Sequence, residues 1–179
     1  MFSHPPPVYI ALHRSAFFYR IWSMGKAEHG FVPIYKGYSL NGEPIKVFNN
    51  GDMQRDFTYI SDIVEGLVRV IHKTPEPNGN WNPEQPDPAS SIAPYRIYNI
   101  GNSAPIGLNQ FIEVLENVLK KPAIRENYPM QTGDVHITYA DAEDLFEAMG
   151  YRPEVKLDEG VKAFADWFQA YYQFTNQNS

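Results

Sequence analysis

Apolar positions along this chain repeat with two different periods, and the places where one gives way to the other divide it into elements. Ile45-Lys46-Val47-Phe48 is a short apolar run followed by Asn49-Asn50-Gly51-Asp52, a cluster of turn-forming residues. Arg55-Asp56-Phe57-Thr58-Tyr59-Ile60 then alternates polar with apolar, so two strands separated by a turn are predicted. Ser61 or Asp62 supplies an N-cap, after which Ile63, Val64, Leu67, Val68 and Ile71 recur at helical spacing and predict an amphipathic helix to about Lys73. Tyr95-Arg96-Ile97-Tyr98-Asn99-Ile100-Gly101 alternates as a strand does. Phe111, Ile112, Leu115, Val118 and Leu119 share a helical face that ends before Pro122. Tyr139-Ala140-Asp141 opens a short helix through Leu145, Phe146 and Met149, with Gly150 placed for a left-handed cap. Val161, Phe164, Trp167, Phe168 and Tyr171 form the broad face of a last helix. Strands mixed with helices make this an α/β chain.

Two stretches fit neither period. Thr74 to Ala93 is rich in Pro, Asn, Asp, Gln and Ser, and a loop that long inside a compact domain is either functional or disordered. By composition it also suits a linker. Nearer the start, Phe17-Phe18-Tyr19-Arg20-Ile21-Trp22-Ser23-Met24-Gly25-Lys26 has no clear periodicity.

Composition narrows the class. At 179 residues, 43% hydrophobic and 15% aromatic, the chain is long enough for one globular domain with a real core. A net charge of -6 and a pI near 5.3, with no basic stripe beyond Lys120-Lys121, argue against a nucleic-acid surface. There is no cysteine, which excludes disulfides and thiolate metal sites. His72 and His136 lack partners at ligand spacing, so no metal is expected. No basic n-region with an apolar core opens the chain and no window resembles a membrane span, so a cytoplasmic location is expected, away from membranes.

Candidate chemistry centres on Arg55. It stands at a strand start beside a turn, and its planar fork can hold two phosphate oxygens through charge-assisted hydrogen bonds contributing roughly 1.5–3 kcal/mol. Taken alone it reads better as a surface ion pair with Asp56, Asp62 or Glu65, which adds little. Its surroundings change that balance. From Gly51 to Gly66 the order G-D-M-Q-R-D-F-T-Y-I-S-D-I-V-E-G resembles the R-D-F-T-Y-I-x-D-I-V-x-G signature of NAD-dependent nucleotide-sugar epimerases, in the extended short-chain dehydrogenase/reductase family. Tyr128-Pro129-Met130-Gln131-Thr132-Gly133-Asp134-Val135 is similar to that family's P-x-Q-x-G-D-V loop, and Tyr98-Asn99-Ile100-Gly101 to its Y-N-I-G element. Pro75-Glu76-Pro77-Asn78, Trp81, Asn82-Pro83, Pro86-Asp87-Pro88 and Ser90 to Arg96 resemble an insertion typical of bacterial UDP-glucuronate 4-epimerases.

The resemblance runs from about Leu40 to Tyr172. It implies the C-terminal, substrate-binding part of a Rossmann-type extended short-chain dehydrogenase fold, with an incomplete sheet. It implies NAD as cofactor, a UDP-sugar as substrate, homodimers for full-length members, and C4 epimerisation of UDP-glucuronate to UDP-galacturonate for surface polysaccharide. Position by position, Arg55 would hold the diphosphate, the strand Lys46, Val47 and Phe48 the uracil, and Gln131 with Asp134 the ribose and phosphate region. A carboxylate can accept both ribose hydroxyls, although Asp134 also suits an ordinary turn bonded to nearby backbone. A dehydratase or decarboxylase of the same family and a non-catalytic nucleotide-sugar binding module are the alternatives, and the Pro-rich loop favours the epimerase.

Epimerases of this family use a glycine-rich turn for NAD and a Y-x-x-x-K helix for proton exchange, in segments that precede the matched region. Neither G-x-x-G-x-x-G nor a tyrosine with a lysine four residues on occurs in this sequence, so the expectation is a fragment with no catalytic residues of its own, inactive alone. A coding argument addresses the start of the chain. Reading the family-like string F-F-T-V-Y-G-P-W-G-R-P one base out of register can encode Phe17 to Ala27, and A-L-F-L-F-T-K-A-I-L likewise Gly30 to Ser39, before Leu40-Asn41-Gly42-Glu43-Pro44 rejoins the family. Residues 11 to 39 are therefore expected to be an out-of-frame translation. Residues 1–39 are expected to be disordered or loosely packed, and 40–179 to be the substrate-binding portion, with apolar faces and strand edges such as Tyr95 to Ile100 left uncovered.

Overall fold

The computed structural model describes Tyr38 and residues 42–171. The proposed boundary at residue 39 and the expected disorder before it lie outside the described residues, Tyr38 apart. That side chain is 2% exposed, donates its hydroxyl to the Lys121 carbonyl and lies beneath the Lys121 ammonium.

The first predicted strand forms where expected. In β1 (Ile45–Phe48), Ile45 and Val47 face the core while Lys46 is exposed and Phe48 half-buried. Its parallel partner is β4 (Arg125–Tyr128), in register from Ile45↔Arg125 to Phe48↔Tyr128. All four β4 side chains are exposed, so no alternation marks this strand in the sequence. The turn after β1 is left-handed at Asn49 (φ 50°), Asn50 (φ 53°) and Gly51 (φ 81°). Glycine suits the third position, because a side chain is strained at that φ and a Cβ there would displace the Asn109 side-chain amide.

The second strand, β2 (Gln54–Asp56), stops well short of Ile60. It is the middle of a three-stranded sheet, antiparallel to β3 (Pro105–Gly107) and parallel to β5 (Ile137–Thr138). Beyond Asp56 the chain turns inward: Phe57 stacks on Phe111 with centroids 4.6 Å apart, and the Thr58 hydroxyl accepts the Asn102 N–H at 3.0 Å.

Helix α1 (Ile60–Ile71) starts ahead of the expected cap and ends before Lys73. Tyr59 is its N-cap, with no side-chain cap bond. Asp62 is buried instead, and accepts the Tyr151 hydroxyl at 3.0 Å and the Val155 N–H at 3.1 Å. Tertiary partners thus claim the carboxylate that would otherwise cap the helix. Helix α2 (Leu108–Leu119) ends at a left-handed Lys120 (φ 53°), before Pro122 is reached. Helix α3 (Glu143–Met149) closes on Gly150 (φ 59°) as predicted, and α4 (Leu157–Tyr171) is the last helix.

Two apolar clusters hold these elements. One joins β1, α2 and α4 through Val47, Ile112, Leu115, Val161 and Phe168; the other joins α1 and α3 through Ile63, Val70, Leu145 and Phe146. Complete burial of side chains of this size contributes about 1.5–3 kcal/mol each. Trp167 stays 43% exposed despite its place in the predicted face.

The predicted strand at Tyr95–Gly101 is not one. Apart from a single bridge, Ser90↔Arg96, the segment has no ladder, because among the described residues no strand runs beside it. Ile100 is buried in the α1–α3 cluster rather than left open. The exposed apolar row lies instead on α1, at Ile60, Val64, Val68 and Ile71. The loop from Thr74 to Ala93 folds on itself. Side-chain oxygens of Asn78, Asn82 and Asp87 accept the N–H groups of Asn80, Glu84 and Ala89, and Arg96 ties its end to Asp144 of α3 at 2.6 Å.

Candidate functional site

Arg55 is the central residue of the central strand, and its side chain is 17% exposed. Its Nη2 lies 2.8 Å from Asp134 Oδ1, while Nη1 donates to the carbonyls of Gln54 (2.7 Å) and His136 (3.2 Å). None of Asp56, Asp62 and Glu65 is the partner. Asp56 is buried among backbone amides, Asp62 binds Tyr151, and Glu65 pairs with Arg69 at 2.6 Å. The guanidinium is thus aimed at the turn preceding β5.

That turn is braced by its own hydrogen bonds. Gly133 adopts φ 84°, the Asp134 N–H donates to the Gln131 carbonyl at 3.1 Å, and Asp134 Oδ1 also accepts the Val135 N–H at 2.9 Å. The turn reading of Asp134 therefore holds, since the carboxylate braces its own turn, and the same oxygen faces Arg55. Because the pair is partly solvated, its own contribution to stability is small, about 0–1 kcal/mol. Its value is in orientation. Gln131 is exposed on the same turn.

The β1 residues lie on the other sheet. Phe48 packs against Tyr128 with ring centroids 5.6 Å apart, and the Lys46 ammonium is 5.9 Å from the Tyr128 centroid. Val47, 1% exposed, turns its side chain into the core, so only its backbone is left to face a ligand. The segment from Tyr128 to Ile137 links the end of β4 to the start of β5, so one connection carries Gln131 and Asp134 between the two sheets. His136 Nε2 lies 3.2 Å from Asp52 Oδ1 in an exposed contact. Among the described residues no group of three or more His, Asp and Glu is placed to hold a metal ion, and no helix is long and apolar enough to cross a membrane.

Sequence reasoning missed the polar residues behind Arg55, of which Asp56 and Thr58 are buried and Ser103 is half-buried. Asp56, Thr58 and Ser103 bond to backbone of the segments that flank β2. The available signal was Asp56 itself, a charge directly before the apolar Phe57. It also missed Tyr151, whose hydroxyl is pushed above its ordinary range, first by burial and then by its bond to Asp62.

Residues 23–101 match the NAD dependent epimerase/dehydratase family, a match that begins within the segment set apart at 1–39. Protein CapI of Staphylococcus aureus is 46% identical over 134 residues, which are 75% of this chain and 40% of CapI. The probable UDP-glucuronate 4-epimerase of Rhizobium meliloti is 42% identical over 135 residues, 74% of this chain and 39% of that protein. Among solved structures, the UDP-glucuronic acid 4-epimerase of Bacillus cereus in complex with UDP-glucuronic acid and NAD is similar at a TM-score of 0.61 and 25% identity, over 78% of this chain and 39% of that one. The UDP-glucose 4-epimerase of Thermotoga maritima with UDP-glucose gives 0.63 at 23% identity, over 91% and 44%. The chain therefore spans 40% or less of the length of these two curated relatives. Over the part these matches cover, the chain is similar to proteins of the NAD dependent epimerase/dehydratase family and has the α/β fold of an extended short-chain dehydrogenase.

Proposed function

We propose that this chain is the UDP-sugar-binding part of a UDP-glucuronate 4-epimerase, the enzyme that interconverts UDP-glucuronate and UDP-galacturonate. The observation that carries this reading is the Arg55 guanidinium, fixed by two carbonyls and by Asp134 at the centre of a sheet rather than spent in a local surface pair. A diphosphate entering there replaces a weak, half-solvated ion pair with bonds to two anionic groups. Asp134 is then released to accept ribose hydroxyls, with Gln131 beside it. The Phe48 ring and the Lys46-Val47-Phe48 backbone flank the uracil.

In a full-length epimerase, bound NAD would supply hydride chemistry at C4 of the sugar. The residues of this chain do not fit that cofactor. A dinucleotide needs a glycine-rich strand-to-helix turn, and neither that turn nor a Y-x-x-x-K helix occurs in the sequence. The chain's role is accordingly to bind and orient the nucleotide sugar, with no catalysis of its own. Cytoplasmic supply of precursors for surface polysaccharide, and homodimerisation of the full-length enzyme, belong to the same proposal, as does the out-of-frame origin of residues 11 to 39. The nucleotide sequence tests the last point: its alternative frame should read as an R-F-F-x-V-Y-G-P-like segment.

Calorimetric titration with UDP tests the binding role. The unmodified chain should bind, and Arg55→Ala should weaken binding by about 10- to 150-fold, the equivalent of losing charge-assisted bonds of roughly 1.5–3 kcal/mol. No heat with the unmodified chain would refute the proposal. Equal affinity for Arg55→Ala would remove Arg55 from the site.

A further inference from the structure

Asp56 is a carboxylate that the proposed binding reaction does not use, and it is 2% exposed. Its Oδ2 accepts the N–H of Ser103 at 3.0 Å and of Ala140 at 3.4 Å, and its Oδ1 that of Ala104 at 3.4 Å. These donors come from two segments. Ser103 and Ala104 lead into β3, and Ala140 follows β5. The β2–β5 ladder itself consists of Gln54↔Ile137 and Arg55↔Thr138, too short to pin register without help. The Asp56 side chain extends this pairing past its last rung, and a charged acceptor makes such bonds stronger than a neutral one does. Ser103 adds a second tie, donating its hydroxyl to the Ala140 carbonyl at 2.7 Å and accepting the Ala142 N–H at 3.3 Å.

From this geometry we infer that Asp56 is the positioning residue of the diphosphate site. It holds β5, and with it the Gln131–His136 turn, in the register that sets Asp134 and the His136 carbonyl against Arg55. The inference rests on the reading of Arg55 as the diphosphate ligand. Successive strand residues point to opposite faces, so Asp56 faces inward where Arg55 faces the turn. Every hydrogen bond that the Arg55 side chain makes beyond its own strand goes to Asp134 or His136, both carried by the segment leading into β5. Lys46, Phe48 and Tyr128 belong to the separate β1–β4 sheet. The phosphate side of the site therefore depends on Asp56, while the base side does not.

Asp56→Asn in the full chain separates these sides. The amide keeps the shape of the carboxylate but loses its charge and turns an NH2 toward one of the three donors. Affinity for UDP should fall about tenfold, as for a lost bond to a charged group, while affinity for uridine, read by ligand-observed NMR, stays unchanged. Hydrogen exchange at residues 134–140 should accelerate with no change in α2 and α4. Parallel losses for UDP and uridine, which general destabilisation would give, overturn the inference, and so does unaltered exchange at 134–140. If Asp56→Asn does not fold, Ser103→Ala loosens the same brace and is judged by the same outcomes. Failure of the unmodified chain to bind UDP refutes the proposed function instead, and the exchange measurement then decides whether Asp56 holds β5.

Discussion

Replacing Gly101 by alanine adds a methyl group where the fold leaves none of the usual clearance. A Cβ at this position would lie 2.7 Å from the Ala140 Cβ and 3.0 Å from Asp56 Oδ2, whereas carbon atoms in good contact sit about 3.5–4.0 Å apart. Neither neighbour can swing away, since Ala140 has no longer side chain to rotate and its N–H bonds to Asp56. The backbone φ of Gly101 is not left-handed, so alanine meets no conformational penalty there. By itself the loss of unfolded-state freedom would stabilise by about 0.4–1 kcal/mol. Overpacking, at about 1–3 kcal/mol, offsets or exceeds that gain and predicts a net loss of about 0–2.6 kcal/mol. Gly79→Ala is the matched control, because nothing lies within 4 Å of its Cβ position. It should be neutral or slightly stabilising. Urea unfolding followed by tryptophan fluorescence, with a calorimetric melt, measures both. Each kcal/mol corresponds to a shift of about 2–4 °C in Tm for a chain of this size. If Gly101→Ala melts above the unmodified protein, the close packing of Gly101, Ala140 and Asp56 is refuted.

Tyr151→Phe removes the hydroxyl that Asp62 accepts, leaving the buried carboxylate with the Val155 N–H, and should cost about 1–3 kcal/mol in urea unfolding at pH 7. The folded state raises the Tyr151 pKa, so its stabilising effect is complete below the unfolded value of about 10 and fades as pH rises through the folded value. Stability measured from pH 8 to 11 should therefore fall less steeply in Tyr151→Phe than in the unmodified chain; equal slopes would contradict this. Leu145→Ala, at a side chain with no exposure, should cost about 2–5 kcal/mol, and a loss below 1 kcal/mol would mean that the α1–α3 cluster is not packed. Val64→Lys with Val68→Glu breaks the exposed apolar row of α1 and should reduce concentration-dependent association in sedimentation velocity, at a stability change within about 0.5 kcal/mol for each substitution. Unchanged association would show that this row is not the adhesive surface.

Local periodicity was enough for the helices and for β1, because each carries an apolar stripe whose spacing is a property of the element itself. Arg55 stood out for a related reason, since its neighbours follow an order that resembles a family signature. The short strands were not. β4 exposes all four side chains and β5 is two residues long, so neither has a pattern to read, and both exist because β1 and β2 offer hydrogen-bonding edges. Tyr95–Gly101 failed in the opposite direction, with strand-like alternation but no neighbouring strand to pair with. Asp62 shows the same competition within a helix, a natural cap residue drawn into the core by Tyr151 and Val155.

By itself, then, the sequence determined where the amphipathic helices run, the turn at Asn49–Gly51, and a family signature around Arg55. Only the tertiary structure decided that Asp134, rather than Asp56, Asp62 or Glu65, faces that arginine, and that Asp56 braces the strands on either side. The reason is physical. Helical spacing and turn chemistry act between residues a few positions apart, whereas Arg55 and Asp134 meet across 79 positions, and which carboxylate arrives there depends on how β2 and β5 align.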